Sequence, residues 1–319
     1  MDSGYRSGDI AQWTGRVDGT DERMRRWHQV IRCVDLHEVH DLKGTVVLLG
    51  FCCDEGVRRN QGRIGAKAGP EQFRKVLSGL PVHFSEMVAL VDAGDVHCLG
   101  ADLESAQSKL AELVTLIRKQ GGFPLLLGGG HEITYAHFKG LDTDDRSIGI
   151  VNIDAHLDIR PLKDGAGNSG TGFYQIAEDL TNSGRTFNYL ALGIQDISNT
   201  QALLSYAKEK GTKIIKAEDI CAANVDAVIA AVHDFAAQVD QIYLTIDLDA
   251  FAAPYAPGVS ALAFNGIIPD VTFRRVFQSI INLPNLVSLD VAELNPLYDI
   301  DQRTTKLGAD LIFKFLQQF

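Results

Sequence analysis

Eight short apolar runs, each closing on polar or glycine-rich residues, limit the fold of this chain more than any other feature. They are Val46–Phe51, Val88–Val91, Pro124–Leu127, Ile148–Ile153, Tyr189–Ile194, Lys213–Ile215, Ile242–Ile246 and Leu286–Val291. Runs this short, rich in branched residues and bounded by turn formers, read as buried strands. Between several of them lie Leu103–Lys119, Ala202–Lys210 and Val225–Val239, which have helical spacing. Strands alternating with helices predict an α/β fold, three-layered α/β/α around a central, mainly parallel eight-stranded sheet. The first 45 residues are polar, with Trp27 and Val30–Ile31 as apolar points, and read as an arm packed on the body. No repeat or low-complexity linker interrupts the pattern, so residues 1–319 are expected to form one domain that includes the 1–45 arm.

The balance of 30 Lys+Arg against 41 Asp+Glu gives a net charge of −11, and no basic run occurs. That composition argues against a nucleic-acid or anionic-membrane partner and for a small molecule. No apolar run approaches the ~20 residues of a spanning helix, and MDSGYRSGDI lacks a basic-then-apolar leader pattern, so a cytoplasmic location is expected. Five cysteines, an odd number without CxxC, fit a reducing compartment. The adjacent Cys52 and Cys53 read as buried thiols at a strand end, with a redox role as the alternative.

In a parallel sheet, ligands bind beyond the carboxyl ends of the strands. Four of those ends carry metal-type groups: Gly128-Gly129-Gly130-His131-Glu132, Asp154-Ala155-His156-Leu157-Asp158, Asp247-Leu248-Asp249 and Ala292-Glu293-Leu294-Asn295-Pro296. If the segments stay extended, Asp154, His156 and Asp158 share one face, as do Asp247 and Asp249. Acids gathered at a buried strand end repel unless a cation lies between them. With His131 they make six ligands, enough for two ions sharing carboxylates. An oxygen-rich set with two histidines and no sulfur favours Mn²⁺, with Fe²⁺, Co²⁺ and Zn²⁺ still open.

GGGHE, NIDAHLDIR, TIDLDA and LDVAELNP resemble the four signatures of the arginase, or ureohydrolase, family, and together span Gly128 to Pro296. The resemblance implies two Mn²⁺ ions per subunit. His131, Asp154, Asp158 and Asp247 would surround one ion, and His156, Asp154, Asp247 and Asp249 the other, with Asp154 and Asp247 bridging. It further implies that a bridging hydroxide attacks a guanidino or amidino carbon, that Asp158 passes the proton to the leaving amine, and that Glu293 holds the cationic substrate head. Members of the family often assemble as homo-oligomers.

Arginases carry a histidine in a GNxHG pattern where this chain reads Gly167-Asn168-Ser169-Gly170. The segment SGTGFYQI, with residues 56–63 and 256–260, instead resembles the branch of the family that hydrolyses N-formimidoyl-L-glutamate to L-glutamate and formamide. An agmatinase or guanidino-acid hydrolase is the alternative. A substrate with an acidic tail agrees with Arg160, two residues beyond Asp158, and with Arg58, Arg59 and Arg63 after the first strand. Each arginine has a rival reading as a partner of surface acids. Ser169 and Thr171 are candidate donors to the reacting head, unless their turn only shapes the backbone. Asn199 is a candidate contact or a cap. The GxGxxG match at Gly165–Gly170 does not join a strand to an opening helix, and GxSxG and P-loop motifs do not occur. A deacetylase on a related fold would need a histidine pair that this chain lacks, and a non-catalytic relative should have lost a ligand.

Overall fold

The computed structural model describes residues 4–319. All eight apolar runs form strands, and the arm adds two short ones. In chain order they are β1 (Tyr5–Arg6), β2 (Arg32–Cys33), β3 (Thr45–Cys52), β4 (Ala89–His97), β5 (Phe123–Leu127), β6 (Ile148–Ile153), β7 (Asn188–Ile194), β8 (Lys213–Lys216), β9 (Gln241–Asp247) and β10 (Leu286–Ala292). They make one sheet in the order β1-β4-β3-β5-β10-β9-β6-β7-β8, with β2 also on β4. Strands β3 to β10 pair with one another in parallel, and only β1 runs antiparallel to its neighbour. Burial on both faces explains the mostly apolar sequence of strands such as Ile148–Ile153, all of whose residues are buried.

Among the described residues, nine α-helices cover the sheet: α1 (Glu55–Arg59), α2 (Gly69–Leu77), α3 (Leu103–Lys119), α4 (Ile133–Leu141), α5 (Gly172–Asn182), α6 (Gln201–Glu209), α7 (Val225–Ala236), α8 (Val271–Ile281) and α9 (Arg303–Leu316). The core divides accordingly. Apolar faces of α2, α7, α8 and α9 pack on one side of the sheet, and those of α3, α4, α5 and α6 on the other.

The arm is more than a packed appendage. Pairing of β1 and β2 with β4 extends the sheet beyond the eight expected strands. Two-residue strands carry no periodicity, so their sequence gives no strand signal. Trp13 and Trp27 are both buried, and Trp13 Nε1 donates to Asp92 Oδ2 on β4 at 2.7 Å. Among the described residues, no helix is long and apolar enough to cross a membrane. The topology sets the carboxyl ends of β5, β10, β9 and β6 side by side, and the four motifs leave from those ends.

Candidate metal centre

His131 reaches the centre through Gly128–Gly130, which follow β5. A Cβ on Gly129 would lie 1.8 Å from the Cys53 carbonyl oxygen, and one on Gly130 would lie 2.1 Å from Glu132 Oε2. Only glycine lets the backbone pass so close to the end of β3. His131 arrives buried, with 1% of its surface exposed.

The acids converge by turns, not by strand alternation. β6 ends at Ile153, and Asp154 Oδ1 accepts from the backbone N–H of His156 at 2.7 Å. Asp247 is the last residue of β9, and its Oδ1 accepts from Asp249 N at 2.8 Å. Both are Asx turns, which bend the chain as its ladder ends. Asp158 then takes φ +48° and Glu293 φ +69°. Left-handed backbone is strained for such residues and concentrates where function fixes the geometry. The shared-face expectation is therefore corrected: the residues meet, but through turns.

His131 Nδ1 lies 2.8 Å from Asp158 Oδ2 and 3.3 Å from both Asp154 Oδ2 and Asp247 Oδ2. His156 Nδ1 lies 3.1 Å from Asp249 Oδ2 and 3.6 Å from Asp154 Oδ1. Two groups result, each with donor atoms within 4.8 Å of one another: His131, Asp154, Asp158 and Asp247, and Asp154, His156 and Asp249. Asp154 belongs to both; Asp247 joins the first alone.

Crowding shifts these groups strongly. Burial, together with the neighbouring Asp249 and Asp154 charges, pushes Asp247 well above the usual carboxylate range. Burial likewise raises Asp158, and lifts Asp249 to about 6 and Glu293 to about 7. Burial also opposes charge on Asp154, but hydrogen bonds from His131 and His156 outweigh it and hold this carboxyl below its usual range. The Asp249 charge raises His156 to about 12. Asp249 Oδ1 and Glu293 Oε2 are buried without a partner. Four carboxylates, two imidazoles and an unsatisfied ligand oxygen fit divalent cations, which would relieve the repulsion.

Behind His131 stands a closed network. Thr245 Oγ1 donates to Asp290 Oδ1 at 2.6 Å, so at 3.0 Å it accepts from His131 Nε2. A proton is thereby fixed on Nε2, and Nδ1, which faces the acids, is the nitrogen a cation would take. Tyr243 Oη donates to Asp290 Oδ2, which also faces His137 Nδ1, each at 2.5 Å. Ser288 Oγ gives its hydrogen to the Pro124 carbonyl oxygen at 2.9 Å and so accepts from His137 Nε2. The His137 ring thus spans the Asp290 carboxylate and the Ser288 hydroxyl.

The four arginines differ. Arg58 pairs with Glu55 at 2.6 Å, and Arg59 with Glu55 at 3.0 Å and Glu104 at 2.6 Å. Arg63 donates to the carbonyl oxygens of Pro257 and Val259 and lies 4.1 Å over the Tyr298 ring. Arg160 is exposed and donates to Asn60 Oδ1 at 3.1 Å, while Asn60 Nδ2 donates to Ser169 Oγ at 3.0 Å. Thr171 is buried, and its hydroxyl bonds Asn168 and Gln175 within its own turn. Asn199 is buried too: Oδ1 accepts from Leu157 N, and Nδ2 donates to the carbonyl oxygens of Ala155 and Gln195. Those bonds engage both ends of the amide in bracing the 154–158 turn.

The arginase family model matches residues 44–317, which include every motif at the four strand ends. This chain belongs to the arginase family. It is 41% identical to a formimidoylglutamase of Ralstonia nicotianae, over 95% of this chain and 94% of that protein. It is 38% identical to a formimidoylglutamase of Geobacillus thermodenitrificans, over 99% and 98%. A formiminoglutamase structure from Trypanosoma cruzi, solved with Mn²⁺, superposes with a TM-score of 0.74 at 27% identity, covering 88% of this chain and 94% of that one.

Several supporting residues of this arginase-family site were not singled out from the sequence. Thr245 and Asp290 lie within TIDLDA and LDVAELNP but inside β9 and β10, before the strand ends to which the ligands were assigned. His137 is in α4, five residues beyond GGGHE. Asn60 acts through Arg160 and Ser169, a contact that only the fold creates. Glu132 is fully buried, bonds Gly56 N at 2.8 Å, and is lifted by burial to about 8.

Proposed function

We propose that this arginase-family protein hydrolyses N-formimidoyl-L-glutamate to L-glutamate and formamide with two Mn²⁺ ions. The observation that carries the reading is Glu293, whose Oε1 is fixed by the His131 N–H at 2.7 Å while Oε2 is buried and unpartnered beside the acids. A free carboxylate oxygen there suits a cationic amidine. Near-full-length similarity to two formimidoylglutamases supports the same substrate.

His131, Asp154, Asp158 and Asp247 would hold one ion, and Asp154, His156, Asp247 and Asp249 the other. When bound, the pair of cations supplies the Lewis acidity that makes water nucleophilic near neutral pH. Glu293 orients the amidinium through a charge-assisted hydrogen bond. As water oxygen adds to the amidine carbon and the bond to the glutamate nitrogen breaks, Asp158 carries a proton to that nitrogen, leaving formamide and glutamate. Arg160, free of any acidic partner among the described residues, binds a substrate carboxylate beside Asn60 and Ser169. Arg58 and Arg59 shape the rim through Glu55 and Glu104. The arm is read as part of this unit, because β1 and β2 lie in its sheet.

The test is product release from N-formimidoyl-L-glutamate by Mn²⁺-loaded protein, beside arginine, agmatine and guanidinobutyrate. Formamide and glutamate from the first substrate alone are expected. Urea from a guanidino compound alone would overturn the substrate assignment.

A further inference from the structure

The carboxyl ends of β3 and β4 gather a second set of metal-type side chains. Cys52 closes β3, while Asp95 and His97, two apart near the end of β4, project from one face. The register pairs Cys52 with His97 and Gly50 with Asp95. Donor atoms of Cys52, Asp95 and His97 lie within 4.8 Å of one another. Gly50 clears the space, since a Cβ there would stand 1.8 Å from Asp95 Oδ1. The three side chains line a cavity of about 840 Å³ to which the arm contributes Arg6, Asp9 and Gln12.

Cations and carboxylates alternate around the cavity, with Arg6, Lys67 and Lys75 beside Asp9, Glu71 and Asp95. Arg74, 1% exposed, faces both Asp92 and Asp95 at 2.8 Å. Asp92 is saturated by Arg74 Nε and Nη2, Trp13 Nε1 and Gly94 N. Asp95 receives Arg74 Nη1, so two carboxylates share one guanidinium. Lys75, also on the cavity wall, is engaged by Glu71 at 2.6 Å.

We propose that Cys52, Asp95 and His97 bind a divalent cation of the Zn²⁺ class. One thiolate, one imidazole and one carboxylate supply three ligands, and the cavity leaves the fourth position to water. Binding displaces the Cys52 thiol proton to solvent. Sulfur distinguishes this site from the sulfur-free centre at the strand ends, so softer ions sort here while Mn²⁺ suits the oxygen-rich ligands. Cys53 takes no part: its Sγ turns to Glu132 Oε1, 3.5 Å away. The assignment does not depend on which substrate the protein hydrolyses.

Co²⁺ added to the Mn²⁺-loaded protein tests it, because a thiolate ligand gives a near-ultraviolet sulfur-to-cobalt charge-transfer band that a carboxylate–imidazole centre cannot. The band is expected in the parent protein, in Cys53→Ser and in Asp154→Asn. It should be lost in Cys52→Ser and weakened in His97→Gln. After dialysis against Zn²⁺, Cys52→Ser should retain one fewer equivalent than the parent. Absence of the band in the parent overturns the proposal, as does its survival in Cys52→Ser or its loss in Cys53→Ser.

Discussion

Two buried acidic clusters sit on the central strands and are built on opposite terms. Around Asp290 every group is answered: His137, Tyr243 and Thr245 reach the carboxylate, and Ser288 closes the circuit on a backbone carbonyl. Around Asp154 the same residue types are left in conflict, with two histidines against four aspartates and the oxygens of Asp249 and Glu293 unpartnered. A buried polar network that completes itself serves as scaffold, because each unsatisfied member would be costly. One that withholds its bonds is arranged around something to be added. Thr245 touches both clusters, so the closed network aims a ligand of the open one.

The largest effect expected from breaking this contrast is at the open cluster. Asp154→Asn removes the one residue common to both ligand groups. Turnover should fall below detection and bound Mn²⁺ should drop, measured by product release and by metal analysis after dialysis; unchanged metal content with normal turnover would end the two-ion reading. Next comes the closed cluster. Asp290→Asn breaks a buried acceptor shared by His137, Tyr243 and Thr245, and leaving buried polar groups unsatisfied costs on the order of 1–3 kcal/mol. Chemical denaturation in excess Mn²⁺ should show that loss. A variant as stable as the parent would mean that this acceptor adds nothing to the scaffold.

The same contrast explains what the sequence could and could not reveal. Most of the main strands were legible because burial on both faces makes them largely apolar, whereas β8 is half-exposed. The six candidate ligands were legible because strand ends in a parallel sheet are where such groups can meet. Their means of meeting was not, since an Asx turn depends on where the ladder stops, and the pairing of β6 with its neighbours ends at Ile153. The arm's strands were hidden because two residues hold no period. The Asp290 network was hidden because its members come from α4, β9 and β10, and only register brings them together. Arg58 and Arg59 looked like substrate contacts, although a glutamate one turn earlier on α1 engages both.

A smaller effect should follow where the clusters join. Thr245→Val keeps the side-chain shape but removes the acceptor that holds the proton on His131 Nε2. Loss of such an orienting partner commonly weakens metal binding by about 10–100-fold. Competition with a chelator would measure it, and Thr245→Ser should restore most of the affinity. If valine binds Mn²⁺ as tightly as threonine, the closed cluster does not aim the ligand.

The smallest effect belongs to the rim, where Arg160 contrasts with its neighbours. Its guanidinium meets only a neutral amide, whereas Arg58 and Arg59 are committed to Glu55 and Glu104. An uncommitted arginine can meet a substrate carboxylate without first breaking an ion pair. Arg160→Ala should therefore raise KM for N-formimidoyl-L-glutamate on the order of 10-fold, the scale of one charge-assisted hydrogen bond. kcat should change little, because a distant tail contact is made equally in ground and transition states. Arg58→Ala should leave KM near its parent value. Steady-state kinetics on both variants separate the cases: a KM effect at Arg58 and none at Arg160 would transfer the carboxylate contact to the end of α1.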